Sequence, residues 1–334
     1  NRSGRLFTKY FIYENWDESN KKMDKTTDHI APREEPNIWE QKWTFLALIL
    51  MYVAQGIVTH IPDALEVTMA HEVHRCSSEA EKRQVQTYLK MALWPFSFKL
   101  IFAPIVDYFA LPCLPKRFHR RGWIVVTGIC TTGMLCMLSL NWNLVDPGEE
   151  CPNGAALLLF LFPIVTLSSI SDIALDAVAV ISLAGKNIGW VGVTQVLGGA
   201  AGGKIGNTLL LTGEQLGFST PQMLFALGML VLFANFVIWK LPEKTAVETG
   251  STGMLIRKAY TMMYDILCNR RTMMLGVLLF IYEVITPATN SALDKKNRGY
   301  AKLDDVFTSL VIELPVSILV VLGTTKLYAE KPRP

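Results

Sequence analysis

Five ionisable side chains stand inside long apolar stretches of this chain: Lys99, Asp172, Asp176, Lys204 and Glu283. Charge inside hydrocarbon is costly, so such groups face a helix bundle's interior or a water-filled path and mark function. Asp172 and Asp176 are four residues apart, which on a helix puts both carboxylates on one face about one turn apart. Two carboxylates so placed can share a proton, and a nearby Lys or Arg opposes that, so the pair and Glu283 are candidates for proton coupling or a charge network. Lys99 admits two readings. It pairs with Asp172 or Asp176 in a fixed bridge, or the same charges bind an ionic solute and exchange partners.

The elements that must position these groups follow from composition. Hydrophobic residues make up 51% of the chain and charged residues 18%, and the mean hydropathy is positive at +0.29. A helix needs roughly 20 apolar residues to cross a hydrocarbon core. Eight such runs are expected, at 43–62, 88–111, 123–142, 155–182, 188–212, 222–241, 272–293 and 306–328. They are too long and too continuously apolar for barrel strands, so the fold class is all-α, a polytopic membrane protein.

Lys and Arg between spans set the orientation, because basic loops stay in the cytosol. The tail carries eight from Arg2 to Lys42, the second loop holds Lys116, Arg117, Arg120 and Arg121, and the sixth is also basic. The third and fifth loops contain no Lys or Arg. The N-terminus is therefore expected in the cytosol, with residues 1–42 as a disordered tail and the net charge of +3 residing in cytosolic segments rather than on a nucleic-acid surface. The first and seventh loops, also basic, are exceptions to the rule.

Gly198, Gly202 and Gly206 recur at four-residue spacing in the fifth span, with Gly199 and Gly203 forming a parallel ridge. Small residues so spaced admit close helix packing, and in a moving protein a smooth face for sliding. Pro62, Pro95, Pro104, Pro163, Pro287 and Pro315 are expected to bend or end their helices. No cofactor or metal is read from the sequence. Of six cysteines, Cys76 and Cys151 both fall in lumenal loops on this topology, so a disulfide between them is open in an oxidising compartment. An intramembrane enzyme is disfavoured. The paired-helix Gly-x-Gly-Asp protease motif is absent, and His29, His71, His74 and His119 lie in loops or the tail.

The segment LWPFSFKLIFAPIVD (93–107) resembles the second-helix signature of the acetyl-coenzyme A transporters, a branch of the major facilitator superfamily. YVAQG (52–56), SDIALDAVA (171–179) and the stretch from NIGW to GKIGN (187–207) agree in order and spacing. The resemblance implies a twelve-helix, two-lobed major facilitator fold carrying cytosolic acetyl-CoA into the endoplasmic reticulum or Golgi lumen. On it the chain is a fragment: a six-helix lobe at 43–241, a cytosolic linker at 242–271, and two helices of the second lobe at 272–334. Phosphates and an adenine ring require cations, polar groups and aromatic surface along the path. The corresponding candidates are Gln55, Trp94, Lys99, Gln195, Lys204 and Asn207, although Lys204 departs from the family pattern, which has an apolar residue there. Asp107 with Arg120 and Arg121 resembles the superfamily's cytoplasmic gate, at a longer spacing; a solvated basic loop is the plainer reading. Other solutes, including another anion or a muropeptide, and a non-transporting receptor or scaffold remain the alternatives.

Overall fold

A computed structural model describes residues 41–72, 76, 78–111, 119–148, 151–183, 187, 189–238, 252–270, 272–274, 276–278 and 281. Ten helices occur among them: α1 (Lys42–Glu72), α2 (Glu79–Met91), α3 (Trp94–Ser97), α4 (Lys99–Tyr108), α5 (His119–Leu140), α6 (Trp142–Val145), α7 (Gly154–Ser182), α8 (Gly189–Gln215), α9 (Thr220–Val237) and α10 (Thr252–Leu267). The chain is an all-α polytopic membrane protein.

Among the described residues, four helices are long and apolar enough to cross a membrane: α1 as far as Glu66, α5, α7 and α9. A fifth span is broken, with Ala80–Ser97 and Lys99–Tyr108 meeting at 44°. Helix α8 has 27 residues, about 40 Å at 1.5 Å per residue, but its glycines together with Gln195, Lys204 and Asn207 dilute its apolar content. The first six expected spans thus each have a counterpart helix. The eighth span, Glu283, residues 1–40 of the tail and the basic stretch 112–118 lie outside the described residues, as does most of the seventh span. The connection expected at 242–271 holds a helix, α10, whose Tyr260 hydroxyl donates to the Ile101 carbonyl at 2.7 Å.

Helix ends follow local chemistry. Ser78 and Glu81 form a reciprocal capping box that starts α2, Asn153 accepts from the Ala156 amide to start α7, and Ser219 with Gln222 starts α9. Gly217, at φ 84°, turns the chain between α8 and α9 in a conformation that glycine adopts without strain.

The most extensive helix pair is α1 with α8. They run parallel, because Gly198 meets Tyr52 and Ile49 while Gly206 meets Ile57. A Cβ on Gly202 would run into the Val53 carbonyl and stand 2.9 Å from the Ile57 amide, and one on Gly56 would meet the Gly199 backbone. Absent side chains let the two backbones touch. Helix α5 packs on α7 and α9, with the Thr132 hydroxyl donating to the Gly228 carbonyl (3.1 Å) and that of Ser139 to Pro221 (2.7 Å). Helices α2, α3 and α4 lie along α7.

At the end where α1 finishes, Lys90 pairs with Glu66 at 2.5 Å and Asp63 at 3.5 Å. There a Cys76–Cys151 disulfide ties the α1–α2 connection to the start of α7. The apolar core beneath includes Ile57, Ile61, Leu65, Leu161 and Leu224, all fully buried.

The glycine seam predicts that Gly202→Ala lowers thermal stability in detergent by about 1–3 kcal/mol, the usual cost of overpacking. Gly192→Ala, on the same helix with nothing within 4 Å of the new methyl, is expected to leave the midpoint unchanged or raise it.

Candidate functional site

The Trp-Pro-Phe-Ser segment breaks the second span. Pro95 has no N–H to donate, α2 stops at Met91, Ala92 and Leu93 form a turn, and Trp94–Ser97 makes a single helical turn. The chain then bends at Phe98, so Lys99 is the first residue of α4 rather than a mid-helix residue. A cation at a helix N-terminus opposes the helix dipole, at a cost of about 0.3–1 kcal/mol. Compensation comes from α7.

Lys99 Nζ forms a close ion pair with Asp172 Oδ2 and a second with Asp176 Oδ2 at 3.5 Å. It also sits 5.7 Å from the Phe96 ring centroid, within cation–π range. Asp172 is buried, its side chain 9% exposed, whereas the side chains of Asp176 and Lys99 are 36% and 28% exposed. One cation thus serves two carboxylates, of which only the outer is open to solvent. Asp176 accepts two further hydrogen bonds at Oδ1, from the Tyr52 hydroxyl at 2.8 Å and from Gln195 Nε2 at 3.3 Å. Helices α1, α4, α7 and α8 therefore converge on this carboxylate.

The other candidates lie apart from this cluster. Gln55 Nε2 donates to the Ser168 carbonyl and hydroxyl at 2.7 and 2.8 Å, joining α1 to α7 inside the bundle. Trp94 is 53% exposed on α3. Lys204 is nine residues beyond Gln195; two and a half turns place it on the opposite face of α8, about 13.5 Å along the axis. Asn207 shares the Lys204 side of α8, and its buried Oδ1 has no hydrogen-bond partner.

Asp107 and Arg120 meet at 3.0 Å across the α4–α5 connection, with Arg120 Nε adding a second contact at 3.2 Å. His119 Nε2 lies 3.1 and 3.0 Å from the Val106 and Asp107 carbonyls. Arg121 follows, half-buried, in the first turn of α5.

Tyr52 was not singled out by sequence reasoning, since a tyrosine in an apolar run reads as packing. Its spacing from Gln55 in YVAQG, three residues, was the available signal, because it puts both polar groups on one side of α1.

Removing Lys99 leaves Asp172 buried and uncompensated, an effect worth about 3–5 kcal/mol. Lys99→Gln is therefore expected to lower thermal stability and folded yield, and Lys99→Gln/Asp172→Asn to restore most of the loss. If the double variant melts no higher than the single one, the pair does not carry this energy.

No solved structure matches the chain. Among curated proteins it is similar to "Putative transporter AmpG 3" of Rickettsia typhi, 34% identical over 27% of this chain and 20% of that protein. AmpG 4 of Rickettsia conorii is 25% identical over 49% of this chain and 38% of its own length. An uncharacterised protein of Schizosaccharomyces pombe is 25% identical over 64% of this chain and 36% of its own. The matched stretch spans between 20% and 38% of the length of these relatives. The family described as acetyl-coenzyme A transporter 1 matches residues 44–220, more than half of the chain and the stretch that carries the Lys99 cluster and the glycine seam, and the chain belongs to that family.

Proposed function

We propose that this chain supplies the substrate-handling lobe of an alternating-access transporter that moves acetyl-CoA from the cytosol into the lumen of the endoplasmic reticulum or Golgi. The observation that carries the reading is Lys99, held at a helix break between a buried and a half-exposed carboxylate. A multiply charged phosphate ester competes with Asp172 and Asp176 for the ammonium group, since phosphate oxygens accept charge-assisted hydrogen bonds at least as well as carboxylates. Binding then releases carboxylate charge, and a proton from solvent neutralises it, which couples transport to proton movement.

The family's description names acetyl-CoA, and its activity class is transport rather than catalysis. Basic residues next to α4 and α5 and the disulfide at the opposite end support a cytosolic N-terminus with a lumenal α1–α2 connection. The Asp107–Arg120 pair, at the cytosolic end in this orientation, serves as a gate contact. Similarity to the AmpG proteins supports a second reading, a permease for a different anionic solute.

Acetyl-CoA binding to the purified protein and uptake into proteoliposomes test the reading together. Compared with Asp172→Asn alone, Lys99→Gln/Asp172→Asn is expected to bind acetyl-CoA at least tenfold more weakly, about 1.4 kcal/mol, while Lys99→Arg keeps part of the affinity because charge survives and geometry changes. Asp107→Asn is expected to slow uptake with binding intact. Equal acetyl-CoA affinity of the folded Asp172→Asn and Lys99→Gln/Asp172→Asn proteins would remove the substrate role, and tight binding of another anion with none of acetyl-CoA would select the second reading.

A further inference from the structure

A small cavity of about 20 Å³, with a mainly apolar wall that carries several polar side chains, lies where α1, α5, α7 and α9 meet. Its wall includes Met51, Gln55, Thr131, Ser168, Ser171 and Asn235. All but Gln55 are buried, Thr131 at 3%, Ser168 at 2% and Asn235 at 6% exposed. Asn235 Nδ2 donates to the Val231 carbonyl of its own helix at 2.8 Å, whereas its Oδ1 is buried with no partner. The facing residue on α5 is Gly128, and the Asn235 amide fills the place that a Cβ would take.

We infer that this cavity is a binding site for one ordered water, which donates to Asn235 Oδ1 and bonds to the hydroxyls of the α5 and α7 wall. Leaving a buried acceptor unpaired forfeits its hydrogen bonds to water outright, whereas a bridging water restores them at a modest cost in ordering. The volume exceeds the roughly 10–15 Å³ that one water centre needs, and at least three polar side chains line it. The same wall is a poor cation site. It holds no ionised group, and the carboxylate next along the chain, Asp172, is already paired with Lys99. The ligand is therefore neutral, and it joins α9 to the helices that hold Gln55 and Ser168.

X-ray radiolytic footprinting of the protein in detergent tests this, because hydroxyl radicals made from a bound water oxidise its immediate neighbours even when bulk solvent cannot reach them. Met51 lines the cavity at 5% exposed, and Met69 is a comparably buried methionine in the apolar core at 1%. Met51 is expected to oxidise several-fold faster than Met69, and Asn235→Leu to bring it down to the Met69 rate. If Asn235→Leu does not fold, Thr131→Val is expected to do the same. Equal rates for the two methionines in the unaltered protein, or a fast Met51 rate that survives the substitution in a folded variant, overturn the water site. Sodium-dependent thermal stability that is lost with either substitution overturns it in favour of a cation.

Discussion

One ammonium group shared between two carboxylates at a break in a membrane helix is the interaction on which the other features turn. Asp172 is the more buried partner, and an ionised carboxylate alone in that position is not tolerable in a medium of low dielectric. Lys99 satisfies it only because the Trp-Pro-Phe-Ser turn delivers the side chain at the start of α4, facing α7. A continuous helix through Phe98 would carry Lys99 elsewhere on its surface. The proline that removes one backbone hydrogen bond thereby positions the cation.

The glycine seam has a complementary role. Gly198 and Gly202 let α8 lie against the α1 backbone, and that closeness brings Tyr52 and Gln195, from two different helices, to the same oxygen of Asp176. The two carboxylates end in different settings, although they sit one turn apart on one helix. Asp172 is sealed and committed to Lys99. Asp176 is half-exposed and shares its charge among a cation, a phenol and an amide, so it is the member with room to change partner. The disulfide and the Lys90 ion pairs anchor the far end of α1, α2 and α7, whereas among the described residues the Lys99 end is held by ion pairs and hydrogen bonds alone.

Much of this was legible before any coordinates. Hydropathy located most of the six comparable helices to within a few residues, since the energy of placing side chains in lipid acts on whole runs, but α1 runs on to Glu72 past its expected end at 62 and α2 starts at Glu79 ahead of the expected 88. The Lys99 partners and the glycine ridge were also readable, because charge and side-chain size leave few options inside a bundle. The break at Phe98 was legible only as prolines that should bend the span; a turn of four residues disappears in any window long enough to detect a membrane helix. Helix α10 was read as a connection because its apolar residues are interspersed with Arg257, Lys258 and Asp265. Lys204 and Gln195, both candidates for the substrate path, stand a half-turn apart on α8. Asn235 was not singled out from the sequence, and its meaning depends on Gly128 and Thr131, more than 100 positions away in the chain.

If the carboxylates and the substrate's phosphates compete for Lys99, weakening the carboxylate side must help the substrate. The affinity of the Asp172→Asn protein for acetyl-CoA therefore tests the account most directly. Competition predicts tighter binding than in the unaltered protein, by about tenfold or 1.4 kcal/mol, in a variant that remains folded because Asp176 still pairs with Lys99. Equal or weaker binding by a folded Asp172→Asn protein would contradict it.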